Sequence, residues 1–204
     1  MIEIRNGSPK TPQGFIFEWH NYPSGPLQMT WYRSIIVKTP IINNLVANIR
    51  YRYFLFSLNR IDKREMENMV DGLGIAIPPA KLRYRVHGNL NSRAFLNVGK
   101  AIATNIKNQV RRCGIEFRDF ESVLDFGCGS ARVMRYFINE YPDKNYTGID
   151  IDKELIVWCK KNIENVNWYQ TPPLPPTDIA SDSFDFIYGI SVFTHLDHEY
   201  QNAW

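Results

Sequence analysis

The chain has 204 residues and a mass of 23.9 kDa, of which 44% are hydrophobic and 22% charged. That balance belongs to a folded globular protein and excludes a mainly disordered chain. Its most apolar stretch, residues 34–58, is broken by Lys38, Pro40, Asn43, Asn44, Asn48, Arg50 and Arg52, so no run reaches the roughly 18 apolar residues of a membrane-spanning helix. The amino terminus, Met1-Ile2-Glu3-Ile4-Arg5, lacks a basic segment followed by an apolar one, the mark of a signal peptide. Cys113, Cys128 and Cys159 cannot all pair, and none stands in a closely spaced ligand pair. A disulfide scaffold and a zinc knuckle are thus excluded, no metal site is expected, and a reducing cytoplasm is the default setting. Charge divides unevenly: residues 1–120 carry 18 basic and 8 acidic side chains, residues 121–204 carry 6 and 13. The basic half can attract an anionic partner or simply form a solvated face.

Residues 1–33 are rich in Pro, Gly and aromatics and read as an irregular arm. From Ile42 to about Gly72, Leu45, Ile49, Tyr53, Phe56 and Arg60 recur at helical spacing. Arg50, Arg52, Tyr51, Tyr53 and Phe54 interleave bases with aromatics there, as a nucleic-acid or membrane surface would, but a helix with an aromatic core face is the preferred reading. Pro78-Pro79 marks a break. A second helix is predicted over 92–112, with Phe95, Val98, Ile102, Ile106 and Val110 on one face and Cys113-Gly114 at its end. The organisation expected is an arm and helix of open role over 1–77, a helical lead-in over 78–120 and a nucleoside-binding domain over 121–204.

From Glu121 strands alternate with helices. Val123–Phe126, Tyr146–Asp150, Val166–Tyr169 and Phe184–Ile190 read as strands, and Ala131–Tyr141 and Lys153–Glu164 as helices. This alternation predicts an α/β fold, a parallel sheet covered on both faces. In such a sheet ligands bind beyond the carboxyl ends of the strands. The first of these strands ends in Asp125, then Gly127-Cys128-Gly129, whose glycines permit a tight turn and a close ligand approach. The next helix is expected to begin near Ser130 and to aim free amides at the pocket. Asp150, 21 residues beyond Gly129, ends the second strand, where a carboxylate accepts the hydroxyls of an adenosine ribose. A dinucleotide fingerprint needs a third glycine where Arg132 stands. Asp125 would repel a pyrophosphate and attract an ammonium. S-adenosylmethionine, with an ammonium and no phosphate, suits these charges better than NAD.

Val123-Leu124-Asp125-Phe126-Gly127-Cys128-Gly129-Ser130-Ala131-Arg132 resembles the first motif of class I S-adenosylmethionine-dependent methyltransferases, with Ala131 at the family's third glycine. Asp150, in Gly148-Ile149-Asp150-Ile151-Asp152, matches the ribose-binding acid of the second motif. Leu174-Pro175, with Asp182 to Tyr188, resembles the loop and fourth strand of the small-molecule type. Ser191-Val192-Phe193-Thr194-His195-Leu196 and the lead-in Arg83-Tyr84-Arg85-Val86-His87-Gly88 are similar to a bacterial subgroup often linked with glycosyltransferases. The resemblance covers residues 78–204. It implies a Rossmann-like sheet and S-adenosylmethionine as cofactor, held by Asp125, Gly127, Cys128, Gly129, Asp150, Ile151, Gln170 and Ser191. Within that set Asp125 would hold the ammonium and Ile151 would pack on adenine, while Gln170 or Thr171 stands where the family often places the acid or amide that reads the adenine amine.

The acceptor implied is a small molecule or glycan, methylated at oxygen. His195, just after the fourth strand, is the candidate base, although Thr194-His195-Leu196-Asp197 also reads as a plain helix start. Arg85 and His87 would close over the cofactor or bind an anionic acceptor, and His198 is expected at the surface. Pro172-Pro173-Leu174-Pro175-Pro176 reads as a pocket-side loop or a polyproline ligand. Nucleic-acid substrates are disfavoured, because the Pro-Pro-aromatic signature of base methylation is replaced by Ser191-Val192-Phe193. The family fold has seven strands, so a chain supplying four and stopping at Trp204 is expected to be truncated, with an unpaired edge on the fourth. A non-catalytic cofactor-binding module is the alternative reading, and an NAD-dependent oxidoreductase a weaker one. Oligomeric state is not encoded in any motif.

Overall fold

The computed structural model describes residues 2–4, 49, 52–54, 56–58, 60–61 and 70–204. The irregular arm predicted over 1–33 otherwise lies outside them. Two compact units divide the chain, one of residues 1–18 with 68–204 and one of 19–67. In the second, the described residues 49–61 are helical, as the periodicity predicts. That helix does not extend to Gly72: residues 71–75 make a turn, closed by a bridge between Val70 and Ala76.

Among its described residues, the first unit is a five-stranded sheet with flanking helices. Its elements are β1 (Ile2–Ile4), α1 (Ala80–His87), α2 (Ser92–Arg112), β2 (Ser122–Phe126), α3 (Met134–Glu140), β3 (Asn145–Asp150), α4 (Lys153–Asn162), β4 (Val166–Gln170), β5 (Phe186–Tyr188) and α5 (His198–Ala203). The strand order is β1-β5-β2-β3-β4. Strands β2 to β5 run parallel, as in a Rossmann-like fold. The chain steps outward from β2 through β3 to β4, then returns to the other side of β2 as β5. That reversal opens a crevice at the carboxyl ends of β2, β3 and β5.

The unpaired edge expected on the fourth parallel strand is not observed. β1 pairs antiparallel with β5, setting Ile2 against Tyr188 and Ile4 against Phe186. An open edge exposes a row of unsatisfied amides and carbonyls, and three residues from the amino terminus answer it on this side.

The core is aromatic. Phe117 stacks on Phe137 at 4.2 Å and Phe120 on Phe186 at 4.7 Å, with Val123, Tyr146 and Tyr188 buried around them. The buried Tyr146 hydroxyl donates to the carbonyls of Phe137 and Tyr141, which removes the cost of an unpaired phenol. The α2 stripe differs from prediction by one position: Gly99 and Ala103 are fully buried beside Phe95, Ile106 and Val110, while Val98 and Ile102 are half-buried. Close approach explains this. A Cβ on Gly99 would lie 2.1 Å from the Arg132 carbonyl oxygen, so α2 packs backbone to backbone against the segment after β2.

Candidate functional site

β2 delivers Asp125 to the crevice and then turns through Gly127 and Gly129, at φ +75° and +57°. Ala131 shares the left-handed region at +56°, a conformation costly for a residue with a Cβ. It delays the helix, so α3 begins at Met134, not at the predicted Ala131. Four amides of the turn find acceptors within the protein. The Gly127 and Cys128 amides donate to the Ile149 carbonyl at 2.8 and 2.9 Å, Gly129 to Asp150 Oδ2 at 2.8 Å, and Ala131 to the Cys128 carbonyl at 3.0 Å.

Both glycines face side chains from elsewhere. A Cβ on Gly127 would fall 2.3 Å from Val192, and one on Gly129 would fall 2.8 Å from Val86. Here the missing side chains admit the residues that roof the turn: Val86 near the end of α1, and Val192 after β5. Ser191 precedes the second of these at φ +59° and is exposed. Within the turn the buried Cys128 thiol approaches the Gly129 carbonyl at 3.7 Å, and Cys159 of α4 approaches the same oxygen at 3.6 Å. Burial raises the pKa of both thiols well above the usual range, so each packs as a small neutral group. The buried Ser130 hydroxyl has no partner among the described groups.

Asp150, at the end of β3, is half-buried and accepts two backbone amides, from Gly129 on Oδ2 and from Asp152 on Oδ1 at 2.9 Å. Burial raises its pKa, and these donors oppose the rise. A carboxylate has about four acceptor positions, so capacity remains for a hydroxyl donor. Ile151, next to it, is 59% exposed. Gln170 stands opposite Asp150 on the neighbouring strand and donates from Nε2 to the Ile151 carbonyl at 3.2 Å. An acceptor carboxylate, an exposed aliphatic side chain and an amide thus share one rim.

Asp125 is enclosed, with 4% exposure. Its Oδ2 accepts from the Tyr188 hydroxyl at 2.9 Å, across the register that pairs these residues on β2 and β5. Burial pushes the carboxyl up to about 7, and the charge of Asp150 adds to the rise; the tyrosine hydrogen bond and Arg132 act against it. Tyr188 itself is pushed well above its usual range, chiefly by burial, and stays a donor. Nothing in the motif pointed to Tyr188; only the order of the strands makes it a neighbour of Asp125.

The lead-in meets this rim. Arg85 pairs with Asp152 at 3.2 Å and Glu154 at 3.0 Å, and Lys81 pairs with Glu154 at 3.0 Å. Arg132 donates to His87 Nδ1 at 3.0 Å, and burial, then the arginine charge, lowers the histidine pKa. Arg85 and His87 therefore tie α1 to the start of α4 and to the segment after β2. On the other side, Trp204 packs edge-on against Phe126 at 5.0 Å and donates from Nε1 to the Pro173 carbonyl. Trp204 thereby links the proline-rich loop to the end of β2. His195 closes a short helical turn over Phe193–His195, and its side chain lies outside the described ones. A groove of about 410 Å³ beside α4 and β4, lined by Lys160, Ile163, Val166 and Tyr169, involves none of these residues.

Residues 123–204 match the family model described as a methyltransferase domain. The parallel sheet, with an acid at the carboxyl end of two adjacent strands, is consistent with the methyltransferase domain that this segment resembles. No curated protein matches the chain. Similar solved structures include PKMT2 from Rickettsia typhi in complex with AdoHcy, at 30% identity over 41% of this chain and 17% of that one, with a TM-score of 0.36. The plantazolicin methyltransferase BamL, in complex with a triazolic desmethylPZN analog and SAH, is 23% identical over 47% and 34% of the two chains, TM-score 0.35. CalS10, an amino pentose methyltransferase from Micromonospora echinaspora, solved with bound SAM, is 15% identical over 60% and 47%, TM-score 0.43. The chain spans less than half the length of each of these three proteins.

Proposed function

We propose that this chain binds S-adenosylmethionine and supports methyl transfer to an oxygen of a small molecule or glycan. The observation that carries the reading is Asp150: a carboxylate at a strand end, held by two backbone amides with acceptor capacity left over. Asp150 would take the ribose hydroxyls, Ile151 one face of adenine, and Gln170 its edge. Asp125, oriented by Tyr188, would face the cofactor's ammonium, and Gly127, Cys128, Gly129 and Ser191 would line its methionine half. The cofactor supplies a methyl group already activated by the sulfonium. The protein's task is alignment of acceptor and donor, with water kept out by Val86 and Val192 over the turn. His195, in the segment after β5, is proposed to accept the proton of the acceptor hydroxyl, while the cofactor, when bound, would give up its methyl group and leave as the neutral thioether.

No described helix is long and apolar enough to cross a membrane, and a cytoplasmic setting with a small-molecule acceptor is part of the proposal. Titration calorimetry with S-adenosylhomocysteine tests the core of it. Micromolar binding by the chain, lost in Asp150→Ala while circular dichroism is unchanged, is the expected result. Tight binding retained by that variant would overturn the assignment.

A further inference from the structure

Arg135 carries a fully buried charge, and none of the cofactor motifs uses it. It is the second residue of α3, with a side chain 0% exposed. Burial works against its charge and Asp71 supports it. Nε donates to the Ala131 carbonyl at 3.1 Å and Nη2 to the Ser130 carbonyl at 3.4 Å. Nη1 donates to Asp71 Oδ2 at 2.9 Å and to the Ala76 carbonyl at 3.2 Å. The Phe95 ring of α2 lies 5.4 Å from the guanidinium. Asp71, 3% exposed, uses its other oxygen to accept the amides of Leu73 and Ile75, so the turn over 71–75 is wound around this carboxylate.

The guanidinium therefore joins two places far apart in sequence. Two of its acceptors belong to the turn after β2, and two belong to residues 71–76. A buried charge is costly to desolvate, and an apolar side chain of the same size would fill the space more cheaply. What the planar fork adds is direction: several donors fixed in one plane, which neither lysine nor an apolar residue reproduces. The Ser130 and Ala131 carbonyls directly follow Gly129, whose amide holds Asp150. Fixing those carbonyls anchors the chain immediately after Gly129, and so limits how far the amide that holds Asp150 can move.

We infer that Arg135 is a positioning residue for the cofactor turn, and that through Asp71 it couples the docking of residues 71–76 to cofactor binding. The inference rests on the cofactor reading above. The test uses the full chain, Arg135→Met and Asp71→Asn, each titrated with S-adenosylhomocysteine, with amide hydrogen exchange followed with and without the ligand. In the unaltered chain the ligand should slow exchange at the Leu73, Gly74 and Ile75 amides. In Arg135→Met affinity should fall about tenfold and that response should vanish, with a smaller loss in Asp71→Asn. A folded Arg135→Met with unchanged affinity, or ligand binding that leaves exchange at 73–75 unaltered in the native chain, would overturn the inference. Should Arg135→Met not fold, the same two readouts on Asp71→Asn decide it. Absence of binding by the native chain overturns the cofactor reading as well, and so differs visibly from failure of the coupling alone.

Discussion

Asp125 and Asp150 are the same residue type at the carboxyl ends of adjacent parallel strands, yet their surroundings give them different work. Asp150 is half-buried beneath two backbone amides. Asp125 is enclosed, with a tyrosine hydroxyl on one oxygen and a pKa pushed up to about 7. The first is held in place by the turn it serves, and fixed amide dipoles support its charge. The second is costly to ionise until a cation arrives. Charge at a strand end is thus set by the donors that the neighbouring backbone supplies, not by residue type.

The largest effect should come from Asp150→Ala, which removes a ribose acceptor and leaves the Gly129 amide unpaired. We expect cofactor affinity to fall by about 3–4 kcal/mol, from the loss of two charge-assisted hydrogen bonds. Calorimetry reads this directly. Next is Gly129→Ala, which combines a left-handed backbone with a Cβ 2.8 Å from Val86. Its expected cost in stability is about 2–3 kcal/mol. Denaturant melts should show that Val86→Ala restores the packing part of that loss, a coupling visible in a double-mutant cycle.

Asp125→Asn tests the other half of the contrast. The native protein keeps a proton on Asp125 up to about pH 7, whereas the unfolded chain loses it near pH 4. Stability from this group is therefore full below about pH 4, falls as pH rises through that window and is level above about 7. A bound ammonium favours the ionised carboxyl, so affinity for S-adenosylhomocysteine should climb as pH rises toward about 7, with proton release on binding below it. Titrations in buffers of different ionisation enthalpy measure that release. In Asp125→Asn affinity should drop on the order of tenfold at pH 8, with this pH dependence gone. An unchanged pH profile would remove Asp125 from ammonium binding. The smallest effect expected is that of Gln170→Ala, an exposed amide at the rim. It should weaken binding about threefold with no measurable change in melting.

Much of this architecture was legible in the chain. Periodicity placed α2 and the strand–helix alternation because each needs one apolar face, and Asp125, the glycine turn and Asp150 stand where a parallel sheet presents its ligands. Local pattern alone was silent where partners come from distant segments. Nothing near Tyr188 announces that it will donate to Asp125, because their contact depends on β5 returning beside β2. Arg135 reads as an ordinary helix position until Asp71, 64 residues earlier, is seen beneath it. The same holds for Ile2–Ile4, whose place on the β5 edge no motif encodes, and for the start of α3, delayed by Ala131. Sequence determined which elements form and which residues stand at the strand ends, since hydrophobic period and turn chemistry act over a few residues. Tertiary structure decided which of those residues carry charge and which amides have acceptors, since desolvation and long-range hydrogen bonds exist only once distant segments meet.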